Sequence, residues 1–219
     1  MRFVLPLFLT LCATAQAAQK MEITLERRDG AVWKAIDPAT ILAEGAHVRF
    51  RFKSSFSGYL YVTNQGTSGE YTQLFPSQEA GQQNRVEAGK EYMIPSVSGS
   101  FAVTGPAGQD IVYWLVSPMP ITENPKKYTP IAPAPAPGSN LESLRPRCDD
   151  TIFKARGDCI DATAGAKAVK PAQVPEALGD KGGTRSRELI FVKEKNKAVV
   201  STPTALTGPV IYEFRLSHK

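Results

Sequence analysis

VRFRFKSSFSGYLYVTNQGTSGEYTQLFP, residues 48–76, is the stretch that decides how this chain folds. It opens in strict alternation: Val48, Phe50 and Phe52 point one way, and Arg49, Arg51 and Lys53 the other. A period of two marks a strand with one face in a core and one in water. Turn residues Ser54 to Gly58 follow, then Tyr59-Leu60-Tyr61-Val62, apolar or aromatic on both faces as a central strand is. Asn64-Gln65-Gly66 breaks that run, Gly69 permits another turn, and Tyr71 to Phe75 reads as a third strand stopped by Pro76. Taken alone, the stretch predicts an antiparallel meander.

Working outward, Met21, Ile23 and Leu25 alternate with Glu22, Thr24 and Glu26, and Asp29-Gly30 signals a hairpin into Val32 to Ile36. Residues 37–42 suit one helical turn, with Asp37 as its cap and Pro38 in the first helical position. Beyond Pro76, short strands are expected at Arg85-Val86, Glu91 to Pro95, Phe101 to Val103 and Ile111 to Val116. The last of these is apolar on both faces and therefore central. Strands recurring about every ten residues between turn signals predict an all-β sandwich or barrel. No segment of helix length separates them, so parallel βαβ units are excluded.

The texture changes at Pro118. Seven prolines between Pro118 and Pro137 favour extended polyproline geometry, and the chain stays polar and poor in large apolar residues to Gly183. Strand patterns return at Leu189 to Val192, Ala198 to Val200 and Val210 to Leu216. Three strands do not make a stable domain by themselves, so they must rejoin the earlier sheets. The expected architecture is a discontinuous antiparallel β-sandwich. Residues 18–128 form its main part, residues 129–186 a Pro-rich linker and disulfide loop, and residues 187–219 the strands that complete it.

Residues 1–17 read as a cleaved signal peptide: a basic start at Arg2, an apolar run from Phe3 to Leu11, and Ala15-Gln16-Ala17 as the cleavage pattern. The apolar run is far shorter than the ~20 residues a bilayer needs, so no transmembrane anchor is expected. Cys12 follows bulky Leu11, where lipoprotein processing favours a small residue, which argues against a lipid anchor. The protein is therefore expected in the periplasm or outside the cell. There Cys148 and Cys159 are expected to pair and pin one loop. The net charge of +5 is concentrated in residues 181–219, at Lys181, Arg185, Arg187, Lys193, Lys195 and Lys197. A basic patch suits nucleic acid or anionic membrane. Lysines guarding an edge strand explain it without a partner, and no nucleic acid is expected.

Catalytic signatures are absent. The two histidines are His47 and His218, and no nucleophile elbow, HExxH or phosphate-binding glycine loop is present. The candidate binding loop is Asn64, Gln65, Thr67, Ser68 and Tyr71, since rigid scaffolds carry function on loops. Set against it, Gly66 and Gly69 serve the turn, and the tyrosines are ordinary cross-strand packing. Asp149, Asp150, Asp158 and Asp161 surround the cysteine pair and offer oxygen ligands, but not at the spacing of a calcium loop. Arg156-Gly157-Asp158 matches a tripeptide that adhesion receptors read and is common enough to arise by chance. No metal or cofactor is expected.

Several of these motifs together resemble a bacterial family, domain of unknown function 4384. They are Gly58-Tyr59-Leu60-Tyr61-Val62, Asn64-Gln65-Gly66, Leu74-Phe75-Pro76, Asn84-Arg85-Val86 before Gly89, Gly105-Pro106 and Ser117-Pro118, spanning roughly residues 45–120. The ending Glu213-Phe214-Arg215-Leu216-Ser217-His218 resembles that of stand-alone exported members. The resemblance implies an immunoglobulin-like sandwich and no activity; relatives occur as exported proteins and beside signalling or protease-like domains. The functional expectation is a non-catalytic exported module that binds a protein or cell-envelope component. A structural or assembly subunit of the envelope is the alternative, and a hydrolase without a recognisable motif ranks behind both.

Overall fold

The computed structural model describes residues 18–77, 83–121, 160–169 and 189–219. These form two antiparallel sheets, and no helix occurs among the described residues. The first sheet has seven strands. Its main path is β11 (Ile190–Glu194), β12 (Lys197–Thr202), β1 (Gln19–Asp29), β3 (His47–Ser54) and β7 (Glu91–Ile94), with β2 (Val32–Ala35) on β1 and β8 (Phe101–Ala102) on β3. The second has six: β10 (Gly165–Ala168), β13 (Val210–His218), β9 (Gly108–Ser117), β4 (Gly58–Gln65) and β5 (Tyr71–Phe75), with β6 (Arg85–Val86) on β4.

Each sheet turns one alternating row toward the other. Met21, Ile23 and Leu25 of β1 and Phe50 and Phe52 of β3 are fully buried against Leu60, Val62, Val112, Trp114, Tyr212 and Phe214. The sheets are joined by aromatic contacts: Phe50 meets Trp114 edge-on at 5.4 Å and Phe214 at 5.2 Å, while Phe52 stacks on Trp114 at 5.5 Å. Edge-to-face and stacked arrangements add to the burial of large rings. The chain is thus a β-sandwich, meeting the expectation of an all-β, immunoglobulin-like architecture at the level of two antiparallel sheets packed face to face.

Three readings change. The stretch 48–76 is not one meander: β3 lies in the first sheet, whereas β4 and β5 lie in the second. The chain crosses between sheets at residues 55–57, and Phe56 drops into the core at the crossing. Alternation reports which face is buried; it does not report the hydrogen-bonding neighbour. Once across, Gly58 lies so close to β9 that a Cβ there would sit 2.3 Å from the Ser117 carbonyl oxygen. Residues 37–42 hold a single turn and no helix. Asp37 still caps it, its Oδ1 accepting the Ala39 N–H at 2.8 Å and its carbonyl the Thr40 N–H at 2.9 Å. The chain then continues extended, Thr40 bridging to Ile160 and Leu42 to His218.

The third change concerns the excursion. Within the segment read as linker, residues 165–168 form β10 and pair with Tyr212 to Arg215 of β13. Small, weakly apolar Gly165-Ala166-Lys167-Ala168 gives no strand signal of its own; tertiary pairing imposes it. The proposed Cys148–Cys159 bridge, most of the Pro-rich run and the signal segment 1–17 lie outside the described residues.

β13 supplies Val210, Tyr212, Phe214 and Leu216 to the core, each nearly inaccessible. Burial of a large apolar side chain contributes ~1.5–3 kcal/mol, against a typical total stability of ~5–15 kcal/mol. A fragment of residues 18–118 is therefore expected to lack a cooperative thermal transition in calorimetry and a near-ultraviolet dichroism signal from Trp114. A sharp transition in a monomeric fragment would show the C-terminal strands to be dispensable.

Candidate functional site

Polar side chains gather where β4, β9 and β13 end. The β4–β5 hairpin closes over residues 66–70, with Gly66 N–H bonded to the Glu70 carbonyl at 3.0 Å and Gly69 N–H to the Gly66 carbonyl at 2.8 Å. Gly69 adopts φ +85°, which favours glycine. The tip is fastened from below: the Thr67 N–H donates to Asp110 Oδ1 at 3.0 Å. Asp110 lies at the start of β9 on the core-facing row, and the His218 Nε2 approaches the same oxygen at 3.4 Å. His218 is only 1% exposed.

The five residues of the candidate loop divide. Gln65 Oε1 accepts the Tyr113 hydroxyl at 3.1 Å, and the rings of Tyr71 and Tyr113 stack at 6.5 Å. Burial pushes the Tyr71 hydroxyl above its ordinary range, and its hydrogen bond with Gln65 draws it partly back. Burial pushes Tyr113 up as well, reinforced by Tyr71 and Glu213. Both phenols therefore stay neutral at physiological pH. The Asn64 Oδ1 and Thr67 Oγ1 atoms are buried without a hydrogen-bond partner. Ser68 is exposed, and so is Glu70, which the candidate set omitted. Structure thus gives Gln65, Thr67 and Tyr71 to anchoring the hairpin and leaves Ser68 and Glu70 facing solvent.

Asp161 is the one member of the proposed aspartate cluster among the described residues; Asp149, Asp150 and Asp158 lie outside them. Its carboxylate accepts Ser217 Oγ at 2.5 Å, Gln109 Nε2 at 2.6 Å, the Thr163 N–H at 2.8 Å and the Thr163 hydroxyl at 2.7 Å. Four donors use the acceptor directions a carboxylate has. Nothing is left for a cation without dismantling the network, and no group of three or more metal-ligating side chains occurs among the described residues. Asp161 fastens residues 160–163 to β13 and β9. Its backbone N–H reaches the Ala39 carbonyl at 2.7 Å, which ties in the loop before β3.

Ser217 and His218 bring a hydroxyl and an imidazole next to one another in sequence, with Asp110 and Asp161 nearby. Successive residues of a strand point to opposite faces. Ser217 faces outward to Asp161 and Gln109, whereas His218 faces inward to Asp110. No Ser–His pair of the nucleophile–base kind is formed by these two residues. Sequence reading passed over Asp110 and Ser217 as functional positions; the available signal was an acid and a serine on rows that are otherwise apolar or charged.

The family model of DUF4384, a domain of unknown function, matches residues 41–120. No curated protein and no solved structure matches the chain. The matched segment holds β3 to β9, strands of both sheets, but not β1, which lies between β12 and β3 in the first sheet. The folded unit is therefore larger than the family segment.

The network of Asp161 carries a pH signature. Burial opposes its charged form, but the bonds from Ser217, Thr163 and Gln109 outweigh that and hold the carboxyl below its ordinary 3.8. A carboxyl lowered on folding stabilises the fold above its unfolded value, and the contribution is lost as pH falls through the folded value. Asp161→Asn should therefore be less stable than wild type at neutral pH, with the gap closing toward about pH 3. Urea unfolding at both pH values measures it; a gap independent of pH would remove Asp161 from this role.

Proposed function

We propose that this chain is a non-catalytic, exported β-sandwich module that binds a protein or cell-envelope component through the β4–β5 hairpin end. One observation carries the reading. The tip of residues 66–70 is fixed from within by the Thr67–Asp110 bond and from the side by Gln65, Tyr71 and Tyr113, while Ser68 and Glu70 stay exposed. A tip held in one conformation loses little freedom on binding, and preorganisation of that kind favours recognition. Of the residues that sequence inspection would recruit for chemistry, Ser217 and Asp161 are hydrogen-bonded to each other across the structure, and His218 lies buried beside Asp110 on the other side of the sheet. Export rests on the basic, apolar and small-residue pattern of residues 1–17.

A photo-crosslinking residue at position 68, introduced into the full chain in its native cell, is expected to give one defined adduct with another molecule. The same residue at Met119, an exposed position just past the far end of β9, should not give it. Identical adducts from both positions, or none from position 68, would reject the hairpin as the binding edge.

A further inference from the structure

Strand β11 ends the first sheet, and no strand pairs with its outer edge among the described residues. Every second N–H and C=O of an edge strand points away from its one neighbour, which makes it a template for another strand. Proteins guard such edges with charge, and three lysines lie near this one: Lys193 on β11, Lys195 in the β11–β12 turn and Lys197 on β12. Lys193 and Lys197 are taken up within the chain. Lys193 Nζ lies 2.6 Å from Asp37 Oδ1, and Lys197 Nζ 3.0 Å from Glu22 Oε2. Asn196, in the β11–β12 turn, donates to the Ala35 carbonyl at 3.0 Å, so the edge is held at its far end too.

Toward its start the edge presents apolar side chains. Ile190 is 52% and Val192 45% exposed on the outward row, beside Val199 of β12, which is opposite Val192. On the inward row Phe191 packs edge-on against Tyr212 at 6.2 Å. The five residues Ile190-Phe191-Val192-Lys193-Glu194 are self-complementary when read antiparallel. With Val192 at the centre, Ile190 faces Glu194 of the other strand, Phe191 faces Lys193, and Val192 faces Val192. No like charges meet, each residue keeps its own face, and lysine is set beside an aromatic ring. Like charges directly opposite destabilise a sheet, and mixed aromatic or apolar pairs do not.

We propose that β11 pairs antiparallel with β11 of a second copy across a two-fold axis at Val192, joining the two first sheets into one continuous sheet. Such an interface is isologous, the commonest form of closed dimer. It is small, so association in the micromolar range or weaker is expected. The proposal uses the edge opposite in kind to the hairpin tip, and neither depends on the other.

Sedimentation of the full mature chain over a concentration series should show a monomer–dimer equilibrium. Val192→Lys places two lysines face to face on the axis and should raise the dissociation constant more than about tenfold, while thermal stability of the monomer stays unchanged because the side chain is exposed. Val192→Cys should crosslink copies under mild oxidation above the wild-type background, since opposed strand residues lie within disulfide reach; Ser68→Cys should not. A chain that stays monomeric throughout, a dimer that Val192→Lys leaves intact, or a Val192→Cys adduct formed only with a different protein would each overturn the proposal.

Discussion

The contact of Phe50 with Trp114 and Phe214 is the constraint on which the rest of the sandwich depends. Phe50 comes from the first sheet and the other two from the second, and all three are fully buried. Their strands are far apart in sequence: β3 begins at His47, β9 at Gly108 and β13 at Val210. Interiors pack at crystal-like density, so a ring missing from one of these strands leaves a void that the others cannot fill. β9 and β13 must therefore return to the core that β3 enters. This explains why β13 is paired along its full length with β9, from Val210 opposite Val116 to His218 opposite Gly108.

Around that core, charged groups act as fasteners on the outer faces and at the strand ends. On the first sheet Glu26 lies buried between Arg49 at 2.8 Å and Arg51 at 3.1 Å, with the Arg49 guanidinium 4.3 Å above the Trp33 ring. On the second, Arg215 meets the buried Glu213 at 2.7 Å. A buried carboxylate without a partner would be costly; a paired and stacked one fixes register. The C-terminal residues do the same for the loop before β3. Leu42 N–H bonds to the Ser217 carbonyl, and the Lys219 N–H to the Leu42 carbonyl. Removing the last strand would thus loosen the start of β3 as well as the second sheet.

Much of this was legible in the sequence, and the parts that were not share a cause. The rows Val48-Phe50-Phe52 and Val210-Tyr212-Phe214-Leu216 announce their buried faces through period two, and the structure buries those faces. Periodicity is a local property. Which strand lies beside which is decided by contacts between distant segments, so the crossing between β3 and β4 and the recruitment of β10 leave no mark in their own residues. Lysines 193 and 197 show the same divide. Their presence at an edge could be read, but their capture by Asp37 and Glu22 depends on where β2 and β1 lie.

The candidate site follows that logic further. A serine, a histidine and two acids near one end of the sandwich invite a catalytic reading, and in a helix sequence neighbours such as Ser217 and His218 can share a surface. In a strand, adjacency in sequence is separation in space: Ser217 and His218 stand on opposite sides of the second sheet, each with its own aspartate. The groups that look reactive are thereby divided into two structural networks, one inside the sandwich end and one on its outer face. Among the described residues, accessible groups at the edges of the scaffold include the hairpin tip at Ser68 and Glu70 and the outer flank of β11. A sandwich whose polar residues are committed to holding its strands can still recognise a surface, because recognition needs only a fixed shape and exposed groups. Acyl transfer would require a nucleophile, a base and an oxyanion site converging on one point. The strand alternation of β13 keeps the side chains of Ser217 and His218 from converging on one such point.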